Sequence, residues 1–238
     1  MTAHEALTVA FTIDLEPDCP PFLQGFRGVE HGLPKLLDAL AARGIRATLF
    51  TTGEVAERYP SHIERLVAEG HELACHGMTH RAFTELSADE ARREIEESAQ
   101  ILRRFAPVTS FRAPYLKFPA AFLPILEANG FRLDSSHARY KLAYYRDRAT
   151  TRLTRIPASV TSSVLRIARP LRAAYLSLLS SPVVLFVHPW EFVDLRHEQL
   201  RLDCRFKTGD VALACVSEVL DKYRARGARF VTMGELGA

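Results

Sequence analysis

Only four cysteines occur in 238 residues (Cys19, Cys75, Cys204 and Cys215), and no two form a Cys-x-x-Cys pair. That spacing excludes a disulfide scaffold and a thiolate zinc site. No charge of one sign dominates either: 31 Lys and Arg stand against 28 Asp and Glu, a net charge of +3. A general nucleic-acid binder needs a basic surface to offset phosphate, so no nucleic-acid partner is expected. Long hydrophobic runs are missing. The longest apolar stretch, Ala173 to Val187, is broken by Ser177, Ser180, Ser181 and Pro182 and is too short to span a bilayer. Met1 to Glu5 has neither the basic start nor the apolar segment of a signal peptide, so a reduced, cytoplasmic protein is expected. The 12 glycines and 13 prolines are scattered, and no repeat occurs, which excludes collagen-like and low-complexity readings.

What is present is ordinary globular composition, 47% hydrophobic and 25% charged, over a length that suits one large domain. Short β-rich runs alternate with longer helical ones. Leu7 to Asp14 reads as a buried strand ending in a carboxylate. Leu33 to Arg43 has apolar residues at Leu33, Leu36, Leu37 and Leu40 and stops at Gly44, the period of a helix. Further strands are expected at Ala47–Thr51, Glu72–His76, Thr109–Arg112, Phe131–Asp134, Arg155–Ser159, Val183–His188 and Arg229–Thr232. Helices are expected at Glu54–Glu69, from Ser87 (with Glu90, a capping box) to about Phe105, at Pro119–Ala128 and at Asp210–Arg226. Seven or eight strands with intervening helices imply an α/β fold whose parallel sheet curls into a barrel, as a single domain over 1–238.

One stretch departs in charge. Residues 137–172 hold nine Lys and Arg against one acid, Asp147, a local charge of +8. Its plain reading is a solvated helical cover. Its sharper reading is a basic surface for an anionic membrane leaflet or a phosphate-bearing substrate.

Chemistry-bearing residues fall at successive strand ends, where α/β barrels build their sites. Asp14 and Glu16 close the first strand and His76 the third, with His80 four residues on. Arg112 and Pro114, then Asp134, then His188 close later strands. Two imidazoles four apart can converge on one metal, and Glu16 or Asp14 would complete the set while leaving positions open for water and substrate. Trp190 and Glu191 read equally as cleft wall or as packing. Cys75 alternates with His76 and is expected to face the helices as inert core. The polar stretch Arg201 to Gly209 reads as a cap on the cleft or as a salt-bridged surface loop.

These residues, in this order from about Leu7 to Val193, resemble the polysaccharide deacetylase superfamily, the NodB-homology domain of carbohydrate esterase family 4. Thr12-Ile-Asp14-Leu-Glu16 is similar to its first motif in the branch that spaces the acids as Asp-x-Glu. His76-Gly-Met-Thr-His80 resembles the second motif, with Gly77 in place of the hydroxyl residue. Arg112-Ala-Pro114-Tyr115, Asp134-Ser135-Ser136 and Leu185-Phe-Val-His188 resemble the third, fourth and fifth. The resemblance implies a distorted (β/α) barrel with seven or eight mainly parallel strands. It implies Asp14 as general base held by Arg112, and His188 as general acid backed by Asp134. Glu16, His76 and His80 would hold a divalent metal, with zinc the best match and cobalt, nickel, iron or manganese as alternatives. Pro114, Tyr115 and Trp190 would meet the substrate, and the Tyr115 N–H is a candidate oxyanion donor.

The activity so implied is metal-dependent removal of an N-acyl group, N-acetyl first, from an amino-sugar-containing glycan, glycoside or lipid-linked sugar. For the lipid-linked case, residues 137–172 would contact the inner membrane face. Two other functions stay open. One is another C–N hydrolase on this scaffold, for a cyclic ureide or imide or for a lipid-linked formyl sugar. The other is a non-catalytic carbohydrate- or lipid-binding descendant, which would have no use for an acid–base pair.

Overall fold

The structure, a computed structural model, describes residues 7–237, so the Met1–Glu5 stretch lies outside the described residues. Eight strands form one sheet: β1 (Thr8–Leu15), β2 (Thr48–Thr51), β3 (Glu72–Cys75), β4 (Ser110–Phe111), β5 (Leu133–Asp134), β6 (Thr154–Arg155), β7 (Val183–Val187) and β8 (Arg229–Val231). The order is β6-β5-β4-β3-β2-β1-β7, with β8 also on β1, and every pairing is parallel. One edge of β1 carries β7 along Val9–Ile13. The other is shared by β8 at Thr8–Ala10 and β2 at Thr12–Leu15. That split distorts the barrel. Between the two ends of the sheet, the Ser159 N–H donates to the Val184 carbonyl and the Val184 N–H to the Ser159 hydroxyl, nearly closing the ring.

The two-residue period of the strands sorts the side chains. Val9, Phe11, Ile13 and Leu15 face outward and pack with the helices in the main core, together with Leu73, Cys75, Phe111 and Leu185. The alternate residues face into the barrel. At its lower end the Glu72 carboxylate accepts from Thr48 Oγ1 (2.7 Å), Ser110 Oγ (2.6 Å) and the Gly234 N–H (2.8 Å). Above it lies an apolar plug that includes Ala10, Phe50, Ala74, Val184 and Met233. The upper end is polar, and it is where β1, β3, β4 and β7 deliver Asp14, His76, Arg112 and His188. The plug seals the site from below.

The outer helices follow their apolar period. Leu33–Ala41 buries Leu33, Leu36, Leu37 and Leu40, and Gly44 ends the turn with a φ of +61°, a conformation that glycine adopts at little cost. Ala88–Leu102 begins with the Ser87–Glu90 capping box. The helix expected over Glu54–Glu69 is two, Gly53–Arg58 and Pro60–Ala68, because Pro60 brings no N–H and its ring disfavours a helical Tyr59. Residues 137–172 are no continuous helical cover. They hold helices at Leu142–Arg146 and from Arg169, a 3-10 segment at Ser162–Arg166, and β6. Two of the expected surface cations are buried: Arg166 lies against Glu191 and Arg172 against Glu218. Among the described residues no helix is long and apolar enough to cross a membrane.

Candidate active site

Asp14 and Glu16 leave the end of β1 toward the same face, two residues apart, yet they meet different partners. Asp14 Oδ1 accepts from Arg112 Nη1 at 2.6 Å. Arg112 is fully buried at the end of β4. It also donates to Thr12 Oγ1 (2.8 Å) and Ser135 Oγ (3.0 Å), and its guanidinium lies 4.1 Å over the Phe50 ring. A charge so deep is tolerable only with a charged partner, which Asp14 supplies.

Glu16 goes to the histidines instead. Its Oε2 lies 2.6 Å from His80 Nε2 and 3.3 Å from His76 Nε2, and its Oε1 accepts from Trp190 Nε1 at 3.1 Å. His76 Nδ1 faces the Arg112 carbonyl at 2.6 Å, which makes it the protonated nitrogen and leaves a lone pair on Nε2. Burial works against the charge on Glu16, but His80, His188 and His76 hold its carboxyl well below the usual range. Ligand atoms of Glu16, His76 and His80, all buried, lie within 4.8 Å of one another. Two imidazole nitrogens and a carboxylate oxygen converging on one buried point are the donor set that a divalent metal takes, so these residues fit one. Of the two acids, Glu16 joins the imidazoles and Asp14 joins the guanidinium.

His80 reaches its place through a strained turn, with φ at +58°. Buried Glu94, from the Ala88–Leu102 helix, holds that turn by accepting from the Met78 N–H (2.8 Å), the Thr79 N–H (3.0 Å) and Thr79 Oγ1 (2.6 Å). The only sequence sign of Glu94 is an acid on the buried face of an amphipathic helix.

His188 stands at the end of β7. Its Nδ1 is 2.8 Å from Glu191 Oε1, and its ring stacks on Trp190 at 4.7 Å and 18°. Its Nε2 is 3.8 Å from Glu16. The carboxylate behind His188 is therefore Glu191 and not Asp134, as the resemblance implied. Asp134 is taken up by Arg155 Nε (3.1 Å) and the Ser136 N–H (2.9 Å) and does not reach the imidazole. Glu191 reaches it because the chain turns into a 3-10 segment at Pro189, bringing a residue three positions on back over the ring. Burial pushes the His188 pKa down, but Glu16 and then Glu191 outweigh it and raise it to about 9. Glu191 itself is held low against its burial by Arg166, 2.9 Å away, and by His188.

The proton on His188 is thus kept below that value and lost as pH rises through it. A cation on Glu16 offsets the pull from that side and leaves Glu191 as the remaining one. Glu191→Gln is expected to move the alkaline limb of kcat/KM down by roughly one to two pH units. An unmoved limb would remove Glu191 from this role.

All of this opens into one cavity of about 500 Å³, lined by Asp14, Glu16, His76, His80, Tyr115 and His188 among others. Four of its lining residues, Cys19, His80, Tyr115 and Leu116, are non-glycine residues at positive φ, a clustering of strain found at functional sites. The Tyr115 ring stands edge-on to His80 at 4.8 Å. Trp190 lines the wall and bonds Glu16, so it belongs to the cleft. Gly28 is what lets it sit there: a Cβ at that glycine would come within 2.4 Å of the Trp190 nitrogen. Pro114, expected at the substrate, is buried and is not among the residues lining the cavity. Arg201, Asp203 and Cys204 do line it, and Arg201 pairs with Asp203 at 2.8 Å, so that stretch is both cleft wall and salt-bridged loop.

The polysaccharide deacetylase family model matches residues 3–133, more than half of the chain and every strand-end residue from Asp14 to Arg112. The chain belongs to the polysaccharide deacetylase family. It is 36% identical over 84 residues to a peptidoglycan-N-acetylglucosamine deacetylase of Bacillus cereus, a match covering 34% of this chain and 30% of that one. It is 38% identical over 85 residues to a chitooligosaccharide deacetylase of Sinorhizobium fredii, covering 34% of this chain and 40% of that one. The matched stretch is therefore well under half the length of these relatives. In fold, the chain resembles the family 4 carbohydrate esterase of Streptomyces lividans, with a TM-score of 0.64 at 20% identity over 94% of this chain and 92% of that one. That likeness bears out the distorted barrel.

Proposed function

We propose that this polysaccharide deacetylase relative is a metal-dependent hydrolase that removes an N-acyl group, N-acetyl first, from an amino-sugar-containing glycan, glycoside or lipid-linked sugar. The observation that carries the reading is the pairing of two oppositely held proton carriers around one ligand cluster. Asp14, paired with Arg112, and His188, kept cationic beside Glu191, flank Glu16, His76 and His80 in a single cavity.

Glu16 and the Nε2 atoms of His76 and His80 would hold the metal, and imidazole with carboxylate suits zinc. When bound, such a cation polarises the acyl carbonyl and makes water a better nucleophile near neutral pH. Asp14 takes the proton from that water; Arg112 engages Oδ1, so Oδ2 is the receiving atom. His188 then gives its Nε2 proton to the departing nitrogen, because Nδ1 is committed to Glu191. Stacking on Trp190 fixes the imidazole plane and favours its charged form. The strained Tyr115 turn overlooks the same space and supplies a backbone N–H toward developing negative charge.

The test is release of small acids by the zinc-loaded protein from N-acetyl and N-formyl sugars, free and lipid-linked, with a cyclic ureide beside them. Chitooligosaccharide and peptidoglycan fragments head the panel because the relatives' names point there. Acetate or formate is expected with the wild type and not with His76→Ala. Turnover of the ureide alone would move the reading to a ring-opening hydrolase, and silence with metal bound would move it to a binding protein.

A further inference from the structure

The helix beginning at Arg169 is turned inside out. Its buried side holds Leu176 and Arg172, whose Nη2 reaches Glu218 at 2.7 Å, and Arg169 pairs with the same glutamate. Its apolar residues face water instead: Leu171 is 65% exposed, Tyr175 38% and Leu178, at the C-cap, 83%. Positions 171, 174, 175 and 178 follow the i, i+3, i+4, i+7 spacing of a single helix face, and Ala174 at the remaining position is exposed too. Isolated exposed leucines need no explanation, but an ordered stripe does.

The stripe continues toward the cavity. Arg139 donates to Ser180, which brings the neighbouring Tyr140 toward the end of the stripe; Tyr140 itself lines the cavity, and exposed Leu142 and Tyr145 follow it. Among the described residues, six of the ten large exposed hydrophobics fall within 140–178. The acids beside the stripe, Asp147, Glu218 and Asp221, are each paired with arginine, which leaves the unpaired charge positive. Arg139 donates to Ser180, Lys141 to the Tyr115 carbonyl and Arg148 to the Tyr145 carbonyl; with Arg146, none of these forms a salt bridge among the described residues.

We propose that this face docks on an anionic lipid bilayer surface, setting Leu171, Tyr175 and Leu178 among the headgroups and turning the cavity mouth toward the interface. Exposed apolar residues on a segment whose unpaired charges are cationic match a surface with an anionic exterior over an apolar interior. A second copy is the poorer occupant, since a symmetric pairing would set two such basic segments against each other. Binding is read without substrate, so this inference and the hydrolase reading fail independently.

The experiment is co-sedimentation of the full chain with vesicles of phosphatidylcholine, alone or mixed with phosphatidylglycerol. Pelleting is expected with the mixed vesicles and is expected to weaken at high salt. Leu171→Ser with Leu178→Ser should lower the partition coefficient about tenfold or more, and Arg146→Gln with Arg148→Gln should lower it for the mixed vesicles alone. Neither pair should change the thermal midpoint or turnover of a soluble substrate, because these side chains are exposed and far from the ligand cluster in sequence. Wild-type protein that stays in solution, or pelleting indifferent to both pairs, would overturn the proposal. So would a dimer in solution that the leucine substitutions split, which would assign the face to a second copy.

Discussion

Asp14→Asn is expected to lower acid release about 10²- to 10⁴-fold while the metal content of the protein stays at the wild-type level. The two readouts separate because the two first-strand acids have different partners. Asp14 lies on Arg112, and Glu16 lies on His76 and His80. An amide at position 14 keeps the size of the side chain and can still accept a hydrogen bond from Arg112 Nη1, but it has no basic oxygen to receive a proton. Some stability is lost as well, since Arg112 then keeps only neutral acceptors, Thr12 and Ser135, for a fully buried charge. Loss of metal together with activity would show Asp14 to be a ligand and contradict the assignment of Glu16.

Arg112→Met is expected to cost about 3–5 kcal/mol of stability, the range for removing one partner of a buried ion pair. Arg112 joins four structural parts: Thr12 and Asp14 on β1, Ser135 after β5, the Phe50 ring on β2, and the His76 imidazole through its own carbonyl. The carbonyl bond survives the substitution and the rest do not. Asp14 is left as an uncompensated carboxylate beside Glu16. It also loses the donor that fixes its carboxylate in place, so activity falls with stability. Arg112→Lys should recover part of the stability and little of the activity, because one ammonium cannot span Asp14 and Ser135 in the fixed fork of a guanidinium. Denaturant midpoints measure the first effect and acid release the second. A change below about 1 kcal/mol for Arg112→Met would mean that the pair is solvated and not the keystone described.

The strands and their ends were legible because a buried parallel strand needs β-branched and apolar residues, and a polar residue closing such a run has few reasons to be there. Asp14, His76, Arg112 and His188 each stood out in that way. Glu94 and Glu191 did not, for opposite reasons. Glu94 acts from a helix whose charged residues are otherwise ordinary. Glu191 acts through a turn of the chain at Pro189 that no periodicity announces, although its distance of three residues from His188 is that of a capping pair. Asp134 matched a motif position, but Arg155, 21 residues away, captures it, and only the β5–β6 pairing shows that. The same holds for the basic segment. Its composition gave the charge, whereas only the helix orientation reveals that Arg166 and Arg172 point inward and Leu171 and Leu178 outward.

The most direct measurement is acid release from an N-acetylated chitooligosaccharide before chelation, after it, and after zinc is restored. Release that stops on chelation and returns with zinc in the wild type, but not in His76→Ala, is the predicted result. Release that persists in thoroughly chelated protein, or that His76→Ala leaves intact, would contradict a site built on Glu16, His76 and His80.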